Sequence, residues 1–383
     1  MRTQQAARWT RRRVLGGLTV AGAAGLFGLY PGPVATPSAP VPQESVGLES
    51  PSPPGDWPGG DQVVATSHFT LHSHPWVNLH HFLYQWARQE VARAGQRWPP
   101  VVDVPERGHV AALSPPHQHT WRMTLDVYQR QVIIRDLGDA VLRTLRHRLA
   151  RMDSAEVEGS PVLVAHVLEA LRAVMPIYRA HWWGAHDNAN RQWIAQVLSQ
   201  GVETQAWLAT RLAQVFGGPW PAEPIRVDLT AYASWQGAYT TNAKPHAPHH
   251  ITISSTDPAN QDGAALEILF HEAAHVLASW MGPRGAEGPL EAAVAAAYRA
   301  RSETPPPDLG HVLIFYSVGE LTRQCLQERG RPGYEPYADH LGLYARSLAW
   351  TVYRQALTKH WQPYLDGTID RTTALQRLVE ELG

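Results

Sequence analysis

Hydrophobic residues recur at helical spacing along most of the chain from Asp61 onward. The clearest stretch begins at Pro75 (PWVNLHHFLYQWARQEVARAG) and ends near Gly95, with proline in the first turn and glycine at the end. One face of this helix carries the apolar side chains of Trp76, Leu79, Phe82, Leu83 and Trp86. Further helical stretches are predicted over residues 120–152, 161–175 and 188–216. The N-terminal part of the folded chain, residues 61–220, is therefore predicted to be helical.

The pattern changes after residue 220. Residues 224–233 (PIRVDLTAYA) alternate apolar and polar side chains, as a half-buried strand does, and residues 251–255 (ITISS) form a second β-rich run. A helix follows over 264–281, and further helices continue to the C-terminus. We expect an α+β fold in one domain over 61–383. It is mostly helical, with a small antiparallel sheet before the 264–281 helix in the second part, 221–383.

Composition bounds the class of protein. Of 383 residues, 44% are hydrophobic, which is enough for a sizeable core. The formal net charge is −1, which disfavours a nucleic-acid partner. The single cysteine, Cys325, excludes an intramolecular disulfide and a zinc site built from several thiolates.

The N-terminus has the layout of an export signal. Residues 1–13 are basic, and an apolar run rich in glycine and alanine follows within residues 1–30. The sequence TRRRVL resembles the twin-arginine signal. The resemblance implies that the export machinery passes a folded protein to the periplasm or the extracellular space. The alternative is an uncleaved segment that tethers the protein to the membrane. Residues 31–60, rich in proline, serine and glycine, read as a disordered linker.

Residues 266–278 (LEILFHEAAHVLA) carry a candidate metal motif. His271 and His275 are four residues apart, so both imidazoles lie on one face of a helix and can reach one ion. Zinc accepts neutral imidazole and keeps a position open for water in catalytic sites. Glu272, on the same turn, can act as the general base of a hydrolase. The flanking residues are apolar, so these three polar side chains would be costly to bury without a function.

This segment resembles the zinc-binding helix of the zincin metallopeptidases over about fifteen residues. The resemblance implies one catalytic Zn²⁺ and a peptide or protein substrate. The metzincin extension requires glycine and histidine where this chain has Ala278 and Met281. The pattern therefore favours the gluzincin-like branch, in which a glutamate on a later helix is the third ligand.

Glu320, within an apolar helical stretch, is the predicted third ligand. Its alternative role is an ion pair with Arg323, three residues on. Glu291 is the second choice, since a first-turn acid is already explained by the helix dipole. Tyr316, one turn before Glu320, is predicted to stabilise the oxyanion that forms during hydrolysis. His311 is a weaker candidate for that role, because it falls on the face opposite Glu320.

Two other functions stay open at this point. One is a non-catalytic exported binding protein with a structural zinc or none. The other is a di-metal oxidoreductase, which needs a second ExxH element; the only other one, Glu106 to His109, lies in a segment rich in proline and glycine. Five further histidines suit surface or capping roles: His68, His72, His74, His80 and His81.

Overall fold

The computed structural model describes residues 62–93, 103–151, 162–234, 237–241, 249–278 and 288–383. The predicted signal segment (1–30) and the predicted linker (31–60) lie outside these residues. Among the described helices, none is both long enough and apolar enough to cross a membrane.

The described residues form five strands and a larger number of helices. The strands are β1 (Gln62–Ala65), β2 (Phe69–His72), β3 (Ile225–Thr230), β4 (Ala238–Thr241) and β5 (His250–Ser254). The helices before the sheet strand β3 are α1 (Pro75–Arg93), α2 (Pro115–Val127), α3 (Ala140–Leu149), α4 (Val162–Tyr178), α5 (Gly184–Leu198) and α6 (Val202–Phe216). The later helices are α7 (Gly263–Ala278), α8 (Pro289–Arg299), α9 (Leu309–Glu328), α10 (Tyr337–His340), α11 (Leu348–Ala356), α12 (Gln362–Leu365) and α13 (Arg371–Leu382). Single π-helical turns follow three of the helices, at Tyr128–Val132, Arg179–Trp183 and Leu357–Trp361.

The helical prediction for the N-terminal part is confirmed in outline, with extra breaks. The stretch 188–216 is two helices, because Gly201 has a φ of 86° and starts α6 afresh. The stretch 120–152 is likewise interrupted. There Asp139 starts α3, since its side chain accepts a hydrogen bond of 2.8 Å from the main-chain N–H of Val141.

The sheet is mixed, and the prediction of an antiparallel sheet is wrong in this respect. The strand order is β1-β2-β3-β5-β4, in which β2, β3 and β5 run parallel and the two outer strands run antiparallel to their neighbours. The two strands predicted from alternation, β3 and β5, pair in parallel because the chain passes through β4 before β5 returns beside β3. The strands β1 and β2, in a region predicted to be helical, were not expected.

The sheet lies among helices. Contacts from α1 and α5 reach the central strand β3, whereas α7 packs against β4 and β5. A large aromatic core fills the space around α1, α2 and α4, with Phe82, Trp86, Trp121 and Tyr178 fully buried. Helix α7 lies outside this aromatic core and packs chiefly against α9, β4 and α6.

Candidate metal centre

Helix α7 is buried on almost every side. Of its 16 residues, only Ala264 is not buried. A helix that is hydrophobic all round belongs to a protein core. The three polar residues of the motif are among those buried: His271 is 3% exposed, Glu272 5% and His275 7%.

Helices α7 and α9 pack against each other in antiparallel directions. His275 lies beside His311, with ring centroids 5.2 Å apart, and one turn further along His271 lies against Phe315 at 4.1 Å. The next turn brings Glu267 over Gly319, where an added Cβ would come within 3.1 Å of Glu267 Oε1. Because glycine allows this close approach, the two helices keep a fixed register at the motif.

This register creates a group of three histidines. The Nε2 atoms of His271 and His275 are 3.2 Å apart. The ring of His311 lies 5.5 Å from that of His271, and one ring nitrogen from each of the three residues lies within 4.8 Å of the others. His271 and His275 are buried and His311 is partly exposed. The group could hold a metal ion.

The separations suit a small cation. Zinc with ligand distances of about 2.0–2.1 Å in tetrahedral geometry places its ligand nitrogens about 3.3 Å apart. The pair formed by His271 and His275 already has this spacing. The His311 nitrogen lies within 4.8 Å of the other two, and rotation of its side chain about a fixed helix can bring it closer. Three nitrogen donors with one position left open match the ligand sets of catalytic zinc sites.

The imidazoles of this group are held in the neutral form. Burial lowers the pKa of His275 to about 3 and that of His311 to about 4. Burial, together with the two neighbouring imidazoles, lowers the pKa of His271 well below its ordinary value. Neutral imidazole is the form that binds a metal, so no proton has to be displaced near neutral pH.

Glu272 points in a different direction from the histidines. It lies about 100° around α7 from His271, on the side that faces β4. Its Oε2 accepts a hydrogen bond of 2.7 Å from the hydroxyl of Thr240 on that strand. Burial raises the pKa of Glu272 to about 7, against the lowering effect of the Thr240 hydrogen bond. A carboxylate with a raised pKa beside a metal-binding group is suited to accept and return a proton.

The structure does not bring the other predicted site residues to the three histidines. Glu320 lies nine residues beyond His311 on α9, about 13 Å along the helix axis. Its carboxylate pairs with Arg323 at 2.6 Å, the alternative considered above. The Tyr316 hydroxyl donates to Gln362 Oε1 at 2.8 Å. Glu291 lies in the first turn of α8. The ligand role of Glu320 and the oxyanion role of Tyr316 stay predictions.

His311 belongs to the histidine group, although the sequence pattern did not predict it as a metal ligand. The pattern makes it only a weaker candidate for the oxyanion role, on the face opposite Glu320. The signal that could have found it is the i, i+4 pair of His311 and Phe315 at the start of α9. That pair presents an imidazole and an aromatic ring on one face of the mostly apolar first half of the helix.

Glu267 is a second buried carboxyl on α7, one turn before His271. Its Oε2 accepts hydrogen bonds from the Tyr334 hydroxyl at 2.7 Å and from the Tyr337 main-chain N–H at 3.0 Å. Its Oε1 is buried without a hydrogen-bond partner among the described residues. The ring of Tyr337 stacks on Phe315, which contacts His271. Glu267 therefore anchors residues 334–337, and the ring of Tyr337 in this segment stacks on Phe315 beside His271.

We expect Glu267 to make stability depend on pH. Burial raises its pKa from 4.5 to about 7. Between these values the folded chain keeps a proton that the unfolded chain releases, so stability falls as pH rises through this window. Glu267→Gln should therefore become more stable relative to wild type as pH rises, by up to about 3 kcal/mol. Urea unfolding of both proteins at pH 4.5 and pH 7.5 measures this. An equal difference at the two pH values would contradict the prediction.

Comparison with family models, with curated proteins and with solved structures finds no match to this chain. The interpretation of the site consequently depends on its own geometry.

Proposed function

We propose that this protein is a zinc-dependent hydrolase of the metallopeptidase type, with His271, His275 and His311 as the metal ligands and Glu272 as the general base. The observation that carries the proposal is the convergence of three buried or partly buried imidazoles, together with the buried carboxylate of Glu272 next in sequence to His271. The motif's resemblance to the zincin peptidases supports peptide or protein as the substrate class.

The proposed chemistry divides between the metal and the chain. When bound, zinc would act as a Lewis acid on the substrate carbonyl and lower the pKa of a water molecule. Glu272 would take a proton from the attacking water and return it to the leaving amine. The three imidazoles carry no charge, so the bound cation keeps its full positive charge toward the substrate. The strand β4 borders this site on the side of Glu272.

The N-terminal segment supports a proposal about location. The basic residues before the apolar run, and the likeness of TRRRVL to a twin-arginine signal, favour export to the periplasm or the extracellular space. A metal enzyme that folds before export would arrive with its metal in place.

The direct test is metal content together with hydrolysis. We expect the purified full-length chain to contain one zinc per molecule by mass spectrometry of metals. We also expect it to cleave internally quenched peptides from a mixed-sequence library. Treatment with a chelator should abolish cleavage, and added zinc should restore it. A chain that takes up no zinc, or that cleaves equally well after complete removal of the metal, would overturn the proposal.

A further inference from the structure

Thr240 is the point at which the edge of the sheet contacts the proposed general base. It lies in β4, which forms one edge of the described sheet and pairs only with β5 among the described strands. The Thr240 hydroxyl lies 2.7 Å from Glu272 Oε2 and 2.8 Å from the Glu272 main-chain oxygen. A hydroxyl has one hydrogen to donate. It can therefore donate a hydrogen bond either to the Glu272 carboxylate or to the Glu272 main-chain carbonyl, and the charged carboxylate forms the stronger bond.

The strand that carries Thr240 is itself firmly placed. Gly237, immediately before β4, has a φ of 80°, and a Cβ there would come within 2.6 Å of Asp257 Oδ2. The Gly237 carbonyl accepts hydrogen bonds from the Ser254 N–H at 2.7 Å and from Asn260 Nδ2 at 3.1 Å. The hydroxyl of Thr240 is thus presented from a fixed backbone rather than from a loose loop.

Neighbouring side chains of β4 alternate between two environments. Thr240 faces α7, whereas Tyr239 points to the opposite side, where its hydroxyl lies 2.8 Å from His81 Nε2. Tyr239 and Thr240 are partly buried, and their hydroxyls contact the buried side chains of His81 and Glu272, respectively. Only the Thr240 contact reaches Glu272.

We propose that Thr240 is a positioning residue for the hydrolytic reaction: its hydroxyl binds Glu272 Oε2 and turns Oε1 toward the attacking water. The proposal rests on the hydrolase function proposed above. A carboxylate side chain on a helix has several rotamers of similar energy. One short hydrogen bond from a rigid strand selects among them, and the reacting atoms then start close to the geometry that they need.

The test compares three variants of the full-length protein. Thr240→Val keeps the shape and removes the hydroxyl, Thr240→Ser keeps the hydroxyl, and Tyr239→Phe removes the neighbouring hydroxyl on the other face. We expect Thr240→Val to lower kcat about 10- to 100-fold, with KM and zinc content unchanged. Thr240→Ser should stay within about 3-fold of wild type, and Tyr239→Phe should leave kcat unchanged, since its contact is with His81.

A second readout does not depend on activity. Crystal structures of the metal-free variants should show the Glu272 carboxylate in a new rotamer in Thr240→Val and in its original position in Thr240→Ser. An unmoved carboxylate, an unchanged kcat in Thr240→Val, or an equal loss in Tyr239→Phe would overturn the positioning role.

Glu272→Gln, assayed in parallel, separates the two proposals. If Glu272→Gln loses activity while Thr240→Val does not, only the role of Thr240 fails. If the wild-type protein does not cleave peptide, the proposed hydrolase function fails, and the role of Thr240 fails with it.

Discussion

Glu272→Gln is expected to lower kcat about 10²- to 10⁴-fold while the protein keeps its zinc. The amide has nearly the same shape as the carboxylate and can still accept the Thr240 hydrogen bond through its oxygen. It cannot take a proton from water. Because Glu272 faces β4 and the three histidines face α9, the substitution leaves the ligand group unchanged. Steady-state kinetics and zinc content measured on the same preparation test both halves of this expectation.

The matched control is Glu267→Gln, which changes a second buried carboxyl on the same helix. Glu267 contacts Tyr334 and the main chain of Tyr337, and it does not belong to the histidine group. Its replacement should alter the pH dependence of stability and leave kcat within a few-fold of wild type. Equal turnover in Glu272→Gln and wild type would contradict the general-base role. Absence of turnover in both proteins, with zinc retained, would favour the alternative of a binding protein with a structural zinc.

The motif helix could be predicted from sequence because its geometry is local. The spacing of His271 and His275 on a helix fixes their relative direction without reference to the rest of the chain. The apolar residues around them predicted burial, and burial is confirmed. What cannot be read from such a pattern is which distant helix faces the motif, and in which direction that helix runs.

The partner of the motif depends on packing between segments far apart in sequence. His311 meets His275 because α9 runs antiparallel to α7 and approaches it closely at Gly319. With the same sequence pattern, but with α9 rotated about its axis and displaced along α7, Glu320 would face the motif. The preference for Glu320 followed from the family resemblance, and the sequence contained no information that fixed this register.

The relative direction of the strands could not be predicted from the sequence pattern either. The alternation in β3 and β5 identified both strands, but their mutual direction depends on β4, a four-residue strand too short to recognise. The histidines expected at the surface also include residues of the core. His80 and His81 are almost fully buried, and each ring binds a tyrosine hydroxyl. Their burial follows from the sheet and helices on both sides of α1, which no local pattern describes.

The free energy of unfolding of the wild-type protein is expected to be about 4 kcal/mol higher in free zinc at 1,000 times its Kd than in excess chelator. Removal of the metal therefore destabilises the protein. The stabilisation arises because the three imidazoles converge in the folded chain and separate in the unfolded chain. Urea unfolding in zinc and in chelator measures it. His311→Ala should lose most of this difference, since it removes one of three ligands, and its zinc affinity should fall by more than about 100-fold.

Glu320→Ala and Glu291→Ala are the controls that decide between the ligand sets. In the structure, Glu320 pairs with Arg323, and an ion pair that is partly open to solvent contributes about 0–1 kcal/mol. Its loss should lower stability slightly and equally in zinc and in chelator. Glu291→Ala should behave in the same way. If Glu320→Ala instead abolished the stabilisation by zinc while His311→Ala kept it, α9 would have to rotate about its axis and move along α7 when the metal binds. The third ligand would then be the glutamate of the gluzincin-like pattern.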